Sequence, residues 1–268
     1  MDGTTGRTAL VTGASRGIGQ AIATRLAAEG ALVVVHFGKD ERGAAATVEA
    51  IGRAGGTALA VRAELGGDGD VDTLFAGVEA ALAGRPLDVL VNNAAAPPAG
   101  PLGVTTRAEF DHLFAVNVRA PYFIIERALP LMRDGGGSGG DGDGTAAGGG
   151  RIITISSVAT RMANPAQTSF AMTKAAVETM SRTLAAQLGP RGITVNAVAP
   201  GATRTPANGA VFDVPGLAEQ IAGMTALDRL GGPDDVAEVV AFLASDAARW
   251  ITGQVVDASG GLFLGPRV

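Results

Sequence analysis

The run Thr12-Gly13-Ala14-Ser15-Arg16-Gly17-Ile18-Gly19 is the first stretch whose residue types and spacing could do chemistry. Its glycines let the chain turn sharply and bring backbone N–H groups against a pyrophosphate at the positive end of a helix. A second stretch begins at Ser157, followed 13 positions later by Phe170-Ala171-Met172-Thr173-Lys174. Reducing a carbonyl needs a hydride at carbon and a proton at oxygen, and a phenyl ring supplies neither acid nor hydrogen bond. Any such chemistry here must be explained around that ring. A glycine-rich turn alone is matched by many unrelated loops, so the elements around it decide its meaning.

Short β-branched runs alternate with longer Ala-rich stretches of helical period. Strands are expected at 8–12, 32–36, 57–62, 87–91, 151–155, 194–198 and 254–257. Helices are expected at 17–29, 40–54, 71–83, 106–116, 118–132, 168–188 and 233–243. Nearly all-apolar strands separated by amphipathic helices imply a parallel sheet covered on both faces and joined by right-handed crossovers. The fold class is therefore α/β: a Rossmann-type, doubly wound, seven-stranded parallel sheet with helices on both faces.

The 268 residues fit a single domain, with 47% hydrophobic and 18% charged residues and a formal net charge of -5. This mildly acidic balance argues against nucleic acid as a partner. No apolar run of membrane-spanning length appears, and the first residues carry neither a signal-peptide core nor an Arg-rich presequence. A soluble, cytoplasmic protein acting on a small molecule is expected, with no metal site. Residues 134–150, almost entirely Gly, Asp, Ser and Ala, are expected to form a flexible surface insert, because they offer nothing to bury.

The T-G-x-x-x-G-x-G spacing of Thr12 to Gly19 opens an ordered series of motifs. Asn92-Asn93-Ala94-Ala95 ends the fourth strand, and Asn117 lies in Phe114-Ala115-Val116-Asn117-Val118. Ser157, Phe170 and Lys174 follow, then Pro200-Gly201 with Thr203 and Thr205, then the ending Gly253 to Gly261. In this order, and over nearly its whole length, the chain resembles the short-chain dehydrogenase/reductase family in its single-domain, ketoacyl-reductase-like form. Ala95 replaces the last Gly of the family's N-N-A-G, and Phe170 stands where the family has its catalytic Tyr.

The resemblance implies a nicotinamide-dependent oxidoreductase. Gly13, Ser15, Arg16, Gly17, Ile18 and Gly19 would bind the cofactor's pyrophosphate side, and Asn93 and Ala94 the adenosine ribose. Pro200, Gly201, Thr203 and Thr205 would fix carboxamide and pyrophosphate. Lys174 would bind the nicotinamide ribose, Ser157 the substrate oxygen, and Asn117 a water of the proton path. Glu64, followed by Leu65, replaces an Asp beside the adenine, and its longer side chain still reaches the adenine amino group. An acid at the end of the second strand would bond the ribose hydroxyls of NAD and repel a 2'-phosphate, but Phe37 holds that position. Arg16 and Lys39 supply positive charge nearby, so NADP(H) is the expected cofactor. His36 and His112 are read as structural, and Arg161 as a solvated surface residue with recognition of an anionic substrate as the alternative. Met162, Phe212 and Met224 fall in segments that border substrate in the family. The helices at 118–132 and 168–188 and the tail from Gly260 resemble the family's assembly surfaces, which implies a homotetramer or homodimer.

Four readings follow from Phe170. The acceptor could need hydride alone, as an iminium derived from a hemiaminal would, or it could be a ketone acidified by its own neighbouring hydroxyl. The chain could instead be a cofactor-binding pseudoenzyme, or Phe170 an engineered replacement of Tyr in an ordinary ketoreductase.

Overall fold

The computed structural model describes residues 4–135, 148–262 and 264. Residues 136–147, the greater part of the expected insert, lie outside the described residues.

Seven strands form: β1 (Thr8–Val11), β2 (Leu32–Phe37), β3 (Thr57–Arg62), β4 (Val89–Asn92), β5 (Arg151–Ile155), β6 (Thr194–Pro200) and β7 (Val255–Ala258). They make one parallel sheet in the order β3-β2-β1-β4-β5-β6-β7. Nine α-helices are described: α1 (Gly17–Ala28), α2 (Glu41–Arg53), α3 (Asp70–Leu82), α4 (Arg107–Phe114), α5 (Ala120–Ala128), α6 (Thr168–Leu188), α7 (Gly209–Phe212), α8 (Leu217–Gly223) and α9 (Pro233–Ala244). Successive strand residues point to opposite faces. Ala9, Val11, Val33 and Val35 accordingly enter one core with residues of α1, α2 and α9, whereas Leu10, Val34 and Leu90 enter the other with residues of α3, α5 and α6. Small residues, Ala23 and Ala27 against Ala237, Ala241 and Ala244, lie where α1 and α9 pack together.

The doubly wound architecture agrees with the sequence expectation, and the differences are local. The two helices expected around Asn117 are one helical path, with a π-helical segment at Ala115–Arg119 between α4 and α5. That path ends at Ala128 because the chain beyond it turns to the sheet, where the Leu87 N–H donates to Leu131 O at 2.8 Å. α7 and α8 were not anticipated, being too short for a periodic pattern to register. β1 and β4 are neighbours whose crossovers leave in opposite directions, so a crevice opens at their carboxyl ends.

Candidate active site

Thr12 follows β1 and ties the glycine turn to the end of β4. Its Oγ1 accepts from the backbone N–H of Asn93 at 2.9 Å and of Ala94 at 3.0 Å. The Asn93 amide returns the contact, donating to Thr12 O at 2.9 Å and Gly13 O at 3.1 Å. The fit is close enough to require glycine twice. Gly13 has φ +64° and a Cβ there would lie 2.9 Å from Ala94 Cα, while a Cβ on Gly19 would lie 2.3 Å from Gly13 O. Arg16 is the N-cap of α1, and its side chain does not cap the helix. The first N–H groups of α1 therefore face the crevice as uncapped donors, which suits a dinucleotide pyrophosphate.

His36 braces this turn from behind. The buried imidazole accepts from Gly13 N–H through Nδ1 at 3.1 Å, and its Nε2 donates to Ala63 O at 2.9 Å. Burial pushes its pKa below the ordinary histidine value, against a smaller upward pull from the Ala63 carbonyl, so the neutral ring is the form that makes both bonds. The sequence gives His36 a structural role near the adenosine; the brace itself pairs position 36 with position 13, which no local pattern signals.

Beside the end of β5, α6 carries Phe170 and Lys174 one turn apart. Lys174 is buried and donates from Nζ to Ile155 O at 2.8 Å. Desolvation pushes its pKa down from 10.5 to about 8. The ammonium lies 5.5 Å from the centre of the Phe170 ring, and that ring packs against Ala96, Leu113 and Val116. Ser157 heads the turn after β5; its Oγ accepts from Ala159 N–H at 3.1 Å, which leaves its own proton free for another acceptor. Asn117 makes its side-chain bonds to Ala96, accepting from N–H at 2.7 Å and donating to the carbonyl at 3.3 Å, and donates to Thr173 Oγ1 at 3.2 Å. Thr173 donates in turn to Phe170 O at 2.7 Å. The π-helical segment is thus fastened directly to the helix turn that holds Phe170.

The remaining expected residues border the same edge of the sheet. Ser15 is buried beneath the glycine turn, and a Cβ on Gly43 of α2 would lie 2.6 Å from its carbonyl oxygen. Ile18 is packed against the first core and Leu65 against the second. Phe37 is buried in the first core. Lys39 is exposed and pairs with Glu64 at 3.6 Å, and Arg62 reaches the other Glu64 oxygen at 3.5 Å. Pro200 ends β6; a Cβ on Gly201 would lie 2.8 Å from Ser259 Cα. A Cβ on Gly17 would come within 3.4 Å of Thr205, so the loop after β6 closes on the glycine turn. Asn208 staples that loop, accepting from Thr205 N–H at 2.7 Å and donating to Thr203 O at 2.9 Å. Arg161 is ion-paired with Asp257 at 2.9 Å, and Phe212 lies buried under Arg204, which is 5.4 Å from its ring centre. Met162 is half-buried and Met224 is exposed.

The profile of the family described as enoyl-(acyl carrier protein) reductase matches residues 13–263. The chain belongs to the short-chain dehydrogenase/reductase family. Versicolorin reductase 1 of Aspergillus parasiticus is 37% identical over 96% of this chain and 97% of its own length. Among solved structures, the reductase LugOII, described as catalysing keto-reduction at C1 during lugdunomycin biosynthesis, is 49% identical with a TM-score of 0.89, covering 98% of this chain and 99% of that one. The angucycline C-6 ketoreductase LanV, solved with bound NADP, is 46% identical with the same TM-score of 0.89 and covers 98% of both chains. In this short-chain dehydrogenase/reductase the glycine turn, the Ser157 turn and α6 meet at one edge, and the side chain at 170 is a phenyl ring.

Proposed function

We propose that this chain is an NADPH-dependent reductase of secondary metabolism whose acceptor is a polycyclic aromatic ketone carrying a hydroxyl beside the carbonyl. The observation that carries the reading is the pairing of a free Ser157 proton with a Phe170 ring that has no proton to give. Arg16 and Lys39 are exposed at the adenosine end, where Lys39 would exchange its solvent-exposed pairing with Glu64 for a 2'-phosphate, and Phe37 presents no charge to repel one. The solved relative with bound NADP supports the same cofactor.

When bound, the dinucleotide supplies the hydride. Ser157 donates a hydrogen bond to the carbonyl oxygen, the one recognised side-chain donor for the negative charge that develops there. Lys174 holds the ribose hydroxyls, and the Phe170 ring closes the site against water. The substrate's own neighbouring hydroxyl then gives the proton that a tyrosine would otherwise give. Relatives named as a versicolorin reductase and an angucycline C-6 ketoreductase support a polycyclic ketone as the acceptor. Assembly as a homotetramer fits the exposed Tyr122 and Phe123 of α5 and Met172 of α6, which form apolar surface on the helices expected at the dimer contact.

NADPH oxidation with paired ketones tests the reading. A polycyclic ketone with an adjacent hydroxyl should turn over at least ~10²-fold faster than the same ketone without it, because a positioned acid contributes about that much. Equal rates would remove the substrate's role as acid. No turnover across carbonyl and imine panels, with NADPH still binding, would make the chain a binding protein.

A further inference from the structure

The turn that carries Ser157 is held by one carboxylate on the facing helix. Glu178 lies on α6 one turn beyond Lys174 and two beyond Phe170. Its Oε1 accepts from Ser156 Oγ at 2.6 Å and from Thr160 Oγ1 at 3.0 Å. Ser156 immediately precedes Ser157, and Thr160 ends the short 3₁₀ turn that follows it. A single oxygen therefore grips the Ser157 turn on both sides. Within the turn, Thr160 is also fastened to Ser157 itself, donating from its N–H to Ser157 O at 3.3 Å, while its single hydroxyl proton is shared between Glu178 and that same carbonyl, 3.1 Å from Oγ1. Ser156 is buried, and hydroxyl bonds to a carboxylate are charge-assisted, shorter and stronger than neutral ones. Neither hydroxyl is part of the backbone pairing that builds the sheet.

We infer that Glu178 is a positioning residue for the reaction: it locks the Ser157 hydroxyl in register with Lys174 and Phe170 by clamping both sides of its turn to α6. This inference rests on the proposed reductase reading, in which Ser157 is the only side-chain donor left to the substrate oxygen. With a tyrosine present, a second donor would tolerate some looseness in Ser157. With Phe170 that tolerance is gone, and a misplacement of ~1 Å in a reacting group can cost ~10²-fold in rate.

The experiment pairs structure with kinetics on Glu178→Ala, Glu178→Gln and the double variant Ser156→Ala/Thr160→Val. Crystal structures of each with NADPH give the Ser157 Oγ to Lys174 Nζ distance, and turnover is followed with a hydroxylated polycyclic ketone that the unaltered protein reduces. Glu178→Ala and the double variant should move or blur Ser157 Oγ by ~1 Å and lower kcat ~10²-fold, with NADPH Kd unchanged. Glu178→Gln keeps an accepting oxygen and should restore most of kcat. An unmoved Ser157 in Glu178→Ala overturns the inference whatever the activity, as does a glutamine variant no better than alanine. A global role would instead weaken NADPH binding in step with kcat. If Glu178→Ala fails to fold, the double variant, which leaves the carboxylate in place, decides the matter alone. Should the unaltered protein reduce no ketone, the reductase reading fails while the crystallographic result still judges the clamp.

Discussion

Lys174 is the residue at which function and stability pull in opposite directions. A buried ammonium with one backbone acceptor costs the fold, and the same desolvation pushes its pKa down to about 8. Between about pH 8 and the ordinary value of 10.5, the unfolded chain binds more protons than the folded one, so stability of the cofactor-free protein should rise with pH across that window. Lys174→Met should abolish the slope and stabilise the cofactor-free protein by roughly 1–3 kcal/mol at neutral pH while eliminating reductase activity. Urea melts of both proteins at neutral and alkaline pH check this, and a less stable methionine variant would contradict it. Phe170 belongs to the same scale. Its backbone oxygen, its ring and its neighbour Thr173 are all engaged, so the ring sits in a pocket framed by the π-helical segment rather than in open solvent.

Among the elements, the glycine turn is the most tightly specified. Gly19→Ala would place a methyl 2.3 Å from Gly13 O and 2.4 Å from Asn93 Nδ2, so NADPH affinity should fall at least ~10-fold with a modest loss of stability, measured by fluorescence titration and thermal melts. His36 adds a pH dependence to the same element. Its folded-state pKa lies below the ordinary 6.5, so its contribution is complete above that value and is lost as pH falls below it, when the ring must gain a proton on the nitrogen that accepts from Gly13. His36→Asn should flatten the acid limb of the stability profile, and an unchanged limb would sink the assignment. These elements also show what one-dimensional pattern conveys. β-Branched runs such as Leu32 to His36 announced their strands, and Thr12 to Gly19 announced the turn, because both signals are local. The π-helical insertion at Asn117 adds a residue that periodicity does not register, and α7 and α8 are shorter than the windows in which periodicity appears. The braces between positions 36 and 13 and between 178 and 156 join residues from different elements, so no spacing rule encodes them.

At the scale of the whole molecule, the parallel sheet brings the loops after β1, β4, β5 and β6 to one edge, with the β1–β4 crevice between the glycine turn and the Ser157 turn. α5 and α6 also expose Tyr122, Phe123 and Met172. Light scattering should give about four times the 26.6 kDa chain mass, and Tyr122→Glu should lower it; a monomer would refute the assembly proposed here. The central claim, that the reaction proceeds without an enzyme acid at position 170, is tested most directly by turnover of Phe170→Tyr on the two paired ketones. The account predicts a gain of ~10²-fold or more on the ketone lacking a neighbouring hydroxyl and little change on the hydroxylated one, because the tyrosine replaces an acid that only the first substrate lacks. A gain of equal size on both ketones, or on neither, would contradict it.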